Sequence, residues 1–169
     1  MTMSPPGRAW VFGDRIDTDV LAPGSLMKLD ARALAAHCLR SVRPEFAAEV
    51  RPGDFLVAGD SFGIGSSREQ AAISLKVLGI SAILAVSFAR IFFRNAYNQG
   101  IPALSFPPAR TISDGDRLSI DLANGVAVNH TNGQEHRFAA IPAHLMDIIS
   151  AGGLTPYLKK RLAKADSGA

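Results

Sequence analysis

The stretch Phe55-Leu56-Val57-Ala58-Gly59-Asp60-Ser61-Phe62-Gly63-Ile64-Gly65-Ser66-Ser67-Arg68-Glu69-Gln70 decides how the chain is read. Its first four residues form an apolar run of the length expected for a buried strand. Beyond it, Ala71, Leu75 and Leu78 recur at helical spacing until Gly79 stops the pattern. Gly59, Gly63 and Gly65 lie between strand and helix, where they let the backbone turn tightly and approach a bound group closely. Ser66, Ser67 and Arg68 follow at the expected helix start, where free N–H groups and the helix dipole favour an anion. Ser66 with Glu69 three residues later also reads as a capping box, which needs no ligand. Arg68 favours the anion site, because a cation in the first turn opposes the dipole unless something compensates. An ion pair with Glu69 or Asp60 is the competing compensation.

Familiar motifs do not account for this turn. A phosphate-binding P-loop needs Gly-Lys-Ser/Thr, and no lysine lies between Lys28 and Lys76. Gly63-Ile64-Gly65 lacks the third glycine of the dinucleotide fingerprint. Gly65-Ser66-Ser67-Arg68 is not the Gly-x-Ser-x-Gly nucleophile elbow.

Working outward, 169 residues with 47% hydrophobic and 20% charged positions suit one globular α/β domain. Residues 1–8 are expected to be a loose tail and residues 155–169 a basic extension. No apolar run approaches the about 20 residues of a membrane span, and the start lacks the apolar segment of a signal peptide. Cys38 is the single cysteine, so neither an internal disulfide nor a multi-cysteine metal site is available, and a cytoplasmic location is expected. Much of the net charge of +3 sits in Lys159-Lys160-Arg161-Leu162-Ala163-Lys164. That run reads as a solvated tail helix, without the interleaved aromatics of a nucleic-acid surface.

Ala9-Trp10-Val11-Phe12 reads as a first strand, followed by a polar loop carrying Asp14, Asp17, Thr18 and Asp19. Alternating acids suggest calcium, but the sixth-position glycine and distal glutamate of an EF-hand loop are missing. Aspartates bonding their own backbone account for the loop better. Asp30 is placed to cap a short helix carrying His37 and Cys38, adjacent residues that point about 100° apart and make a poor ligand pair. Both are expected to be partly buried structural residues. Pro44-Glu45-Phe46 starts another short helix. After the central turn, Ile80-Ser81-Ala82-Ile83-Leu84-Ala85-Val86 reads as a strand, and Ser87 as the cap of a helix over residues 88–99 with Phe88, Phe92 and Ala96 as its core stripe. Ile101-Pro102-Ala103-Leu104-Ser105-Phe106 extends again. This alternation implies right-handed crossovers and parallel pairing. Beyond Pro107, the turns Asp114-Gly115-Asp116, Asn124-Gly125 and Asn132-Gly133 separate short alternating runs, which predicts an antiparallel meander. His130 and His136 flank the last of these turns and are candidates to face each other, though two histidines alone do not make a metal site. Pro142 at the first helical position opens a helix through Leu145, Ile148 and Ile149, ended by Gly152-Gly153.

In this order, Gly13-Asp14-Arg15-Ile16-Asp17-Thr18-Asp19, residues 59–69, Ser87-Phe88-Ala89-Arg90-Ile91-Phe92 with Asn95, Pro102 and Ala151-Gly152-Gly153-Leu154 carry a family pattern. The chain resembles, over nearly its whole length, the 3-isopropylmalate dehydratase (isopropylmalate isomerase) small subunits of the aconitase superfamily. The resemblance implies a swivelling β/β/α three-layer domain and a separate large subunit that holds a 4Fe-4S cluster through its own cysteines. It further implies a hydro-lyase of leucine biosynthesis that moves the hydroxyl of 2-isopropylmalate through an isopropylmaleate intermediate. By the same resemblance Ser66 is the base, Ser67 and Arg68 bind substrate carboxylate beside Gly65, and Asp17 and Asp19 organise the site. No metal ligand is implied on this chain.

Two departures bear on the substrate. Gln70 stands where the family usually has histidine after Arg-Glu. The selectivity loop aligns with Ser25-Leu26-Met27-Lys28, without its usual tyrosine and arginine, so Met27 and Lys28 are the residues expected to meet the substrate's substituent. Two other classes stay open at this point. One is a related hydro-lyase acting on dimethylmalate, citramalate or homoaconitate, and the other a non-catalytic anion-binding module.

Overall fold

Residues 3–166 are described by a computed structural model of the chain. Strands β1 (Gly7–Val11), β2 (Phe55–Ala58), β3 (Ala82–Ala85) and β4 (Ala103–Ser105) pair in parallel, each with the next. Every residue of β2 and β3 is buried, which is why both read as unbroken apolar runs rather than as alternations. Parallel neighbours require crossovers. Helix α1 (Thr18–Leu21), α2 (Ala31–Ala35) and α3 (Phe46–Glu49) lie between β1 and β2, while α4 (Gln70–Val77) and α5 (Arg90–Asn98) supply the next two crossovers. On its other edge β1 pairs antiparallel with β5 (Arg117–Asp121), and β6 (Val126–Asn129) and β7 (Gln134–Arg137) complete a meander. The result is one seven-stranded mixed sheet in the order β4-β3-β2-β1-β5-β6-β7. The α/β class, the parallel half and the C-terminal meander are those the sequence leads one to expect.

The core joins both halves. Trp10, Phe46, Phe55, Phe62, Phe92 and Phe106 are fully buried, and the Trp10 indole N–H is satisfied by Asp54 Oδ2 at 2.9 Å. Helix α6 (Ala143–Ala151) stops at Gly152 with φ 87°, and α7 (Leu154–Asp166) folds back against α6 and α5.

Several local expectations need correction. The loose tail is shorter than residues 1–8, because Gly7 and Arg8 already pair in β1 and the Ser4 N–H donates to Ile120 O at 2.9 Å. Residues 1–2 and 167–169, part of the expected tail and extension, lie outside the described residues. Pro142 is the cap of α6 rather than its first helical residue. His130 and His136 do not face each other: His130 Nε2 lies 2.9 Å from Ser119 Oγ, whereas His136 packs edge-on against Phe106. No described helix is long and apolar enough to cross a membrane.

For function, the consequence is placement. The carboxyl ends of β1, β2 and β3 open on one edge, and the glycine turn leaves from the middle strand. The neighbouring turn before β5 is held by a fork in which Arg43 Nη1 and Nη2 donate to Asp114 Oδ1 and Oδ2 at 2.6 and 2.8 Å. That fork, chiefly, lowers the Asp114 pKa to about 2. A lowered carboxyl pKa contributes stability that is present above the ordinary value of about 3.9 and lost as pH falls toward the folded value. Asp114→Asn is therefore expected to lower unfolding free energy by about 1 kcal/mol at pH 7, solvent screening holding the figure down. Urea titrations should show the difference closing between about pH 4 and pH 2, whereas a difference independent of pH would contradict the assignment.

Candidate active site

The glycine turn has almost no regular structure of its own and is tied to the segments on either side. Gly59 N–H donates to Gly13 O at 3.2 Å, Gly63 N–H to Ile16 O at 2.7 Å, and Thr18 N–H to Ile64 O at 2.9 Å. On the other flank Phe62 N–H donates to Ser87 O and Ala89 N–H to Phe62 O, at 3.0 and 2.9 Å. Phe62 is the anchor, its ring fully buried edge-on to Phe92 and Phe88 at centroid distances of 5.1 and 6.0 Å. Burying such a side chain is worth about 2–3 kcal/mol. The glycine after it has no room for more: a Cβ on Gly63, at φ 80°, would lie 2.2 Å from Phe92 Cγ.

Past Gly65 the loop turns outward, leaving Ser66 and Ser67 exposed. Ser66 N–H donates to Thr18 Oγ1 at 3.1 Å, and the two hydroxyl oxygens are also 3.1 Å apart. Arg68 Nη1 donates to Asp19 Oδ1 at 3.0 Å and to Ala22 O at 2.7 Å. Its Nη2 and Nε make no hydrogen bond among the described residues, nor do the backbone N–H groups of Ser67, Arg68 and Glu69. Asp19 is thereby doubly used: the Gly24 N–H first, and then Arg68, hold its carboxyl below the ordinary value. Asn95 Nδ2 reaches Ser67 O at 3.3 Å from α5. The arrangement leaves a hydroxyl, three backbone amides and two guanidinium nitrogens on one short stretch, the last five without protein partners among the described residues, a set of donors that suits an anion.

The residues singled out from sequence fare differently. Ser66, Ser67, Arg68, Gly65 and Asp19 come together. Asp17 lies in the same frame, paired through a bridge with Ile64, and spends Oδ1 capping α1 at Val20 N. The turn Gly24–Leu26 abuts Arg68, and beyond it Met27 rests against the core while Lys28 is exposed.

The capping box does not form. The two cross-loop bonds to residues 16 and 18 hold Ser66 away from the helix, α4 starts only at Gln70, and Glu69 instead accepts from Gln99 Nε2 at 2.8 Å. Arg68 pairs with neither Glu69 nor Asp60. Asp60 is taken by Arg110, which donates to Asp60 Oδ2 and Asp14 Oδ1 at 2.6 and 2.9 Å. Ser87 is not a helix cap either, since α5 starts at Arg90 after Ala89 and Ser87 Oγ accepts from Ser61 N at 2.8 Å. Thr18 and Arg110 were not among the expected site residues. Thr18 carried a weak signal as a small hydroxyl between two aspartates, whereas nothing in the spacing marks Arg110.

Residues 42–109 match the aconitase C-terminal domain family. A 3-isopropylmalate dehydratase small subunit 1 from Thermotoga maritima is 49% identical over 156 residues, 91% of this chain and 94% of that protein. Another small subunit, from Nautilia profundicola, is 45% identical over 157 residues, 92% of this chain and 95% of that one. The chain belongs to the 3-isopropylmalate dehydratase small-subunit family. A crystal structure of 3-isopropylmalate dehydratase from Methanocaldococcus jannaschii has the same fold, with a TM-score of 0.93 at 40% identity over 99% of this chain and 100% of that one.

An iron–sulfur cluster is held chiefly by several cysteine thiolates, and this chain has one cysteine. Cys38 is fully buried rather than partly so, and burial pushes its thiol pKa up. Among the described residues no three His, Cys, Asp or Glu side chains are grouped to hold a metal ion. The site's precision instead depends on the packed loop. Gly63→Ala should destabilise by about 3 kcal/mol or more, combining left-handed backbone strain with overlap on Phe92. Gly133→Ala, with φ 74° but open space around it, should cost only about 1 kcal/mol. Equal costs in urea unfolding would show that the Phe92 contact does not constrain the loop.

Proposed function

We propose that this chain is the small subunit of a hydro-lyase that isomerises 2-isopropylmalate to 3-isopropylmalate by dehydration and rehydration, in leucine biosynthesis. The observation that carries the reading is an exposed Ser66 two residues before a half-free Arg68 fork on a loop with unpaired amides. The names of relatives at 45–49% identity over nine-tenths of the chain support the substrate. Ser66 Oγ takes the proton from the carbon beside the one that loses hydroxide. When water adds back, that proton returns to the carbon that held the hydroxyl. Arg68, through Nη2 and Nε, and the Ser67 hydroxyl hold a substrate carboxylate, and Asp19 fixes the guanidinium plane so that binding costs little ordering. Gly65 lets the backbone approach, and Asp17 keeps α1 and its loop in register.

The 4Fe-4S cluster is assigned to the large subunit, the partner that completes a site left open to solvent on this chain. Met27 offers a flexible apolar surface and Lys28 a single point charge, a combination that favours alkyl malates over tricarboxylates. The chain acts as one swivel domain over residues 1–169, in the cytoplasm, without nucleic-acid or membrane partners.

Reconstitution with the large subunit tests this reading. The wild-type pair should turn over 2-isopropylmalate while the chain alone does not. Its kcat/KM for 3-isopropylmalate should exceed that for homoisocitrate. Ser66→Ala should lower kcat by about 10²–10⁴-fold and cost about 1 kcal/mol or less in stability, the worth of one hydrogen bond. A fully active Ser66→Ala pair would remove the base assignment, and a substrate ratio below one the alkyl reading.

A further inference from the structure

We propose that Thr18 is a positioning residue for the Ser66 base, an assignment that rests on the role of Ser66 given above. Thr18 is 2% exposed and heads α1, where its own N–H is fixed to Ile64 O at 2.9 Å. Both hydrogen-bond neighbours of its hydroxyl belong to one residue: Ser66 N at 3.1 Å and Ser66 Oγ at 3.1 Å. A threonine hydroxyl has one proton to give. Its oxygen already accepts the Ser66 N–H, so the remaining acceptor for its proton is Ser66 Oγ.

While Ser66 is neutral, either hydroxyl can donate. Once Ser66 has released its proton to water, only one direction is left, and Thr18 O–H donates to the alkoxide in a charge-assisted bond. Accepting the amide polarises the threonine hydroxyl and strengthens that donation. The alkoxide then takes the substrate proton and returns it on rehydration, so Thr18 keeps its own proton throughout.

Two features keep the hydroxyl in place. A β-branched side chain is stiff about χ1, and burial closes the route to solvent. Gly65, at φ 110°, leaves the space, since a Cβ there would lie 3.0 Å from Thr18 Oγ1. The glycine thus protects the Thr18–Ser66 contact in addition to turning the chain.

The test uses the reconstituted pair. Thr18→Val keeps the shape and removes the donor, and Thr18→Ala replaces it if valine does not fold, as judged by circular dichroism and large-subunit binding. Either should lower kcat by about 10- to 1,000-fold with KM within about threefold, and should move the rise of the kcat pH profile upward. Thr18→Ser, which restores the hydroxyl, should recover kcat to within about fivefold of wild type. In a Ser66→Ala background Thr18→Val should cause no further loss, because its effect passes through Ser66. The assignment is overturned if Thr18→Val retains kcat within about twofold, if serine does not rescue, or if the loss persists in the Ser66→Ala background. If the wild-type pair has no dehydratase turnover, the base reading falls and this assignment with it; an active Thr18→Val pair removes only the latter.

Discussion

The bonds from residues 16 and 18 across to residues 63 and 64 are the constraint on which this edge of the molecule depends. The chain between β2 and α4 contains three glycines and three serines and has little intrinsic preference for one shape. Its geometry is imposed by a backbone ladder on the β1 side, a second on the β3 side, and Phe62 driven into the core between them. Because strands β1, β2 and β3 are parallel and adjacent, their carboxyl ends bring all three loops to the same place. Fold and site are therefore one construction: the sheet order decides which loops meet, and loop-to-loop bonds decide what they present.

Charge adds orientation to that frame. Arg110 spans Asp14 and Asp60, and Arg68 spans Asp19 and the Ala22 carbonyl, so each arginine links two loops. Asp14 and Asp19 both have lowered pKa values, in each case chiefly through a backbone N–H and then through the arginine. Both carboxylates stay ionised at neutral pH and keep the guanidinium planes fixed. These pairs are solvent-exposed and contribute little to stability. The Asp19 pair holds Arg68 through Nη1 and leaves its Nη2 and Nε without a hydrogen bond among the described residues.

Much of this was legible in the residues, and the rest was not for identifiable reasons. Residues 55–58 and 80–86 announced buried parallel strands because both faces are covered. The meander showed in its Asn-Gly turns. The glycine turn stood out because Arg68 conflicts with the helix dipole it was expected to join. The failures lie where tertiary bonds outcompete local ones. Ser66 with Glu69 is a sound capping pattern, but cross-loop bonds pull Ser66 away and Gln99 engages Glu69. The partners of Arg68 and Asp60 exchange for the same reason, since Asp19 and Arg110 arrive from distant sequence. Thr18 looked like one more turn residue, and only the register between residues 18 and 64 puts its hydroxyl on Ser66.

We propose that Arg68, held by Asp19, clamps a substrate carboxylate with the part of its fork left free. Calorimetric titration of the assembled enzyme with a non-reacting substrate analogue, comparing wild type with Arg68→Lys, addresses it most directly. Lysine keeps the charge and loses the fork. The account predicts affinity weaker by about 10- to 100-fold in the variant, and equal affinity in the two proteins would contradict it.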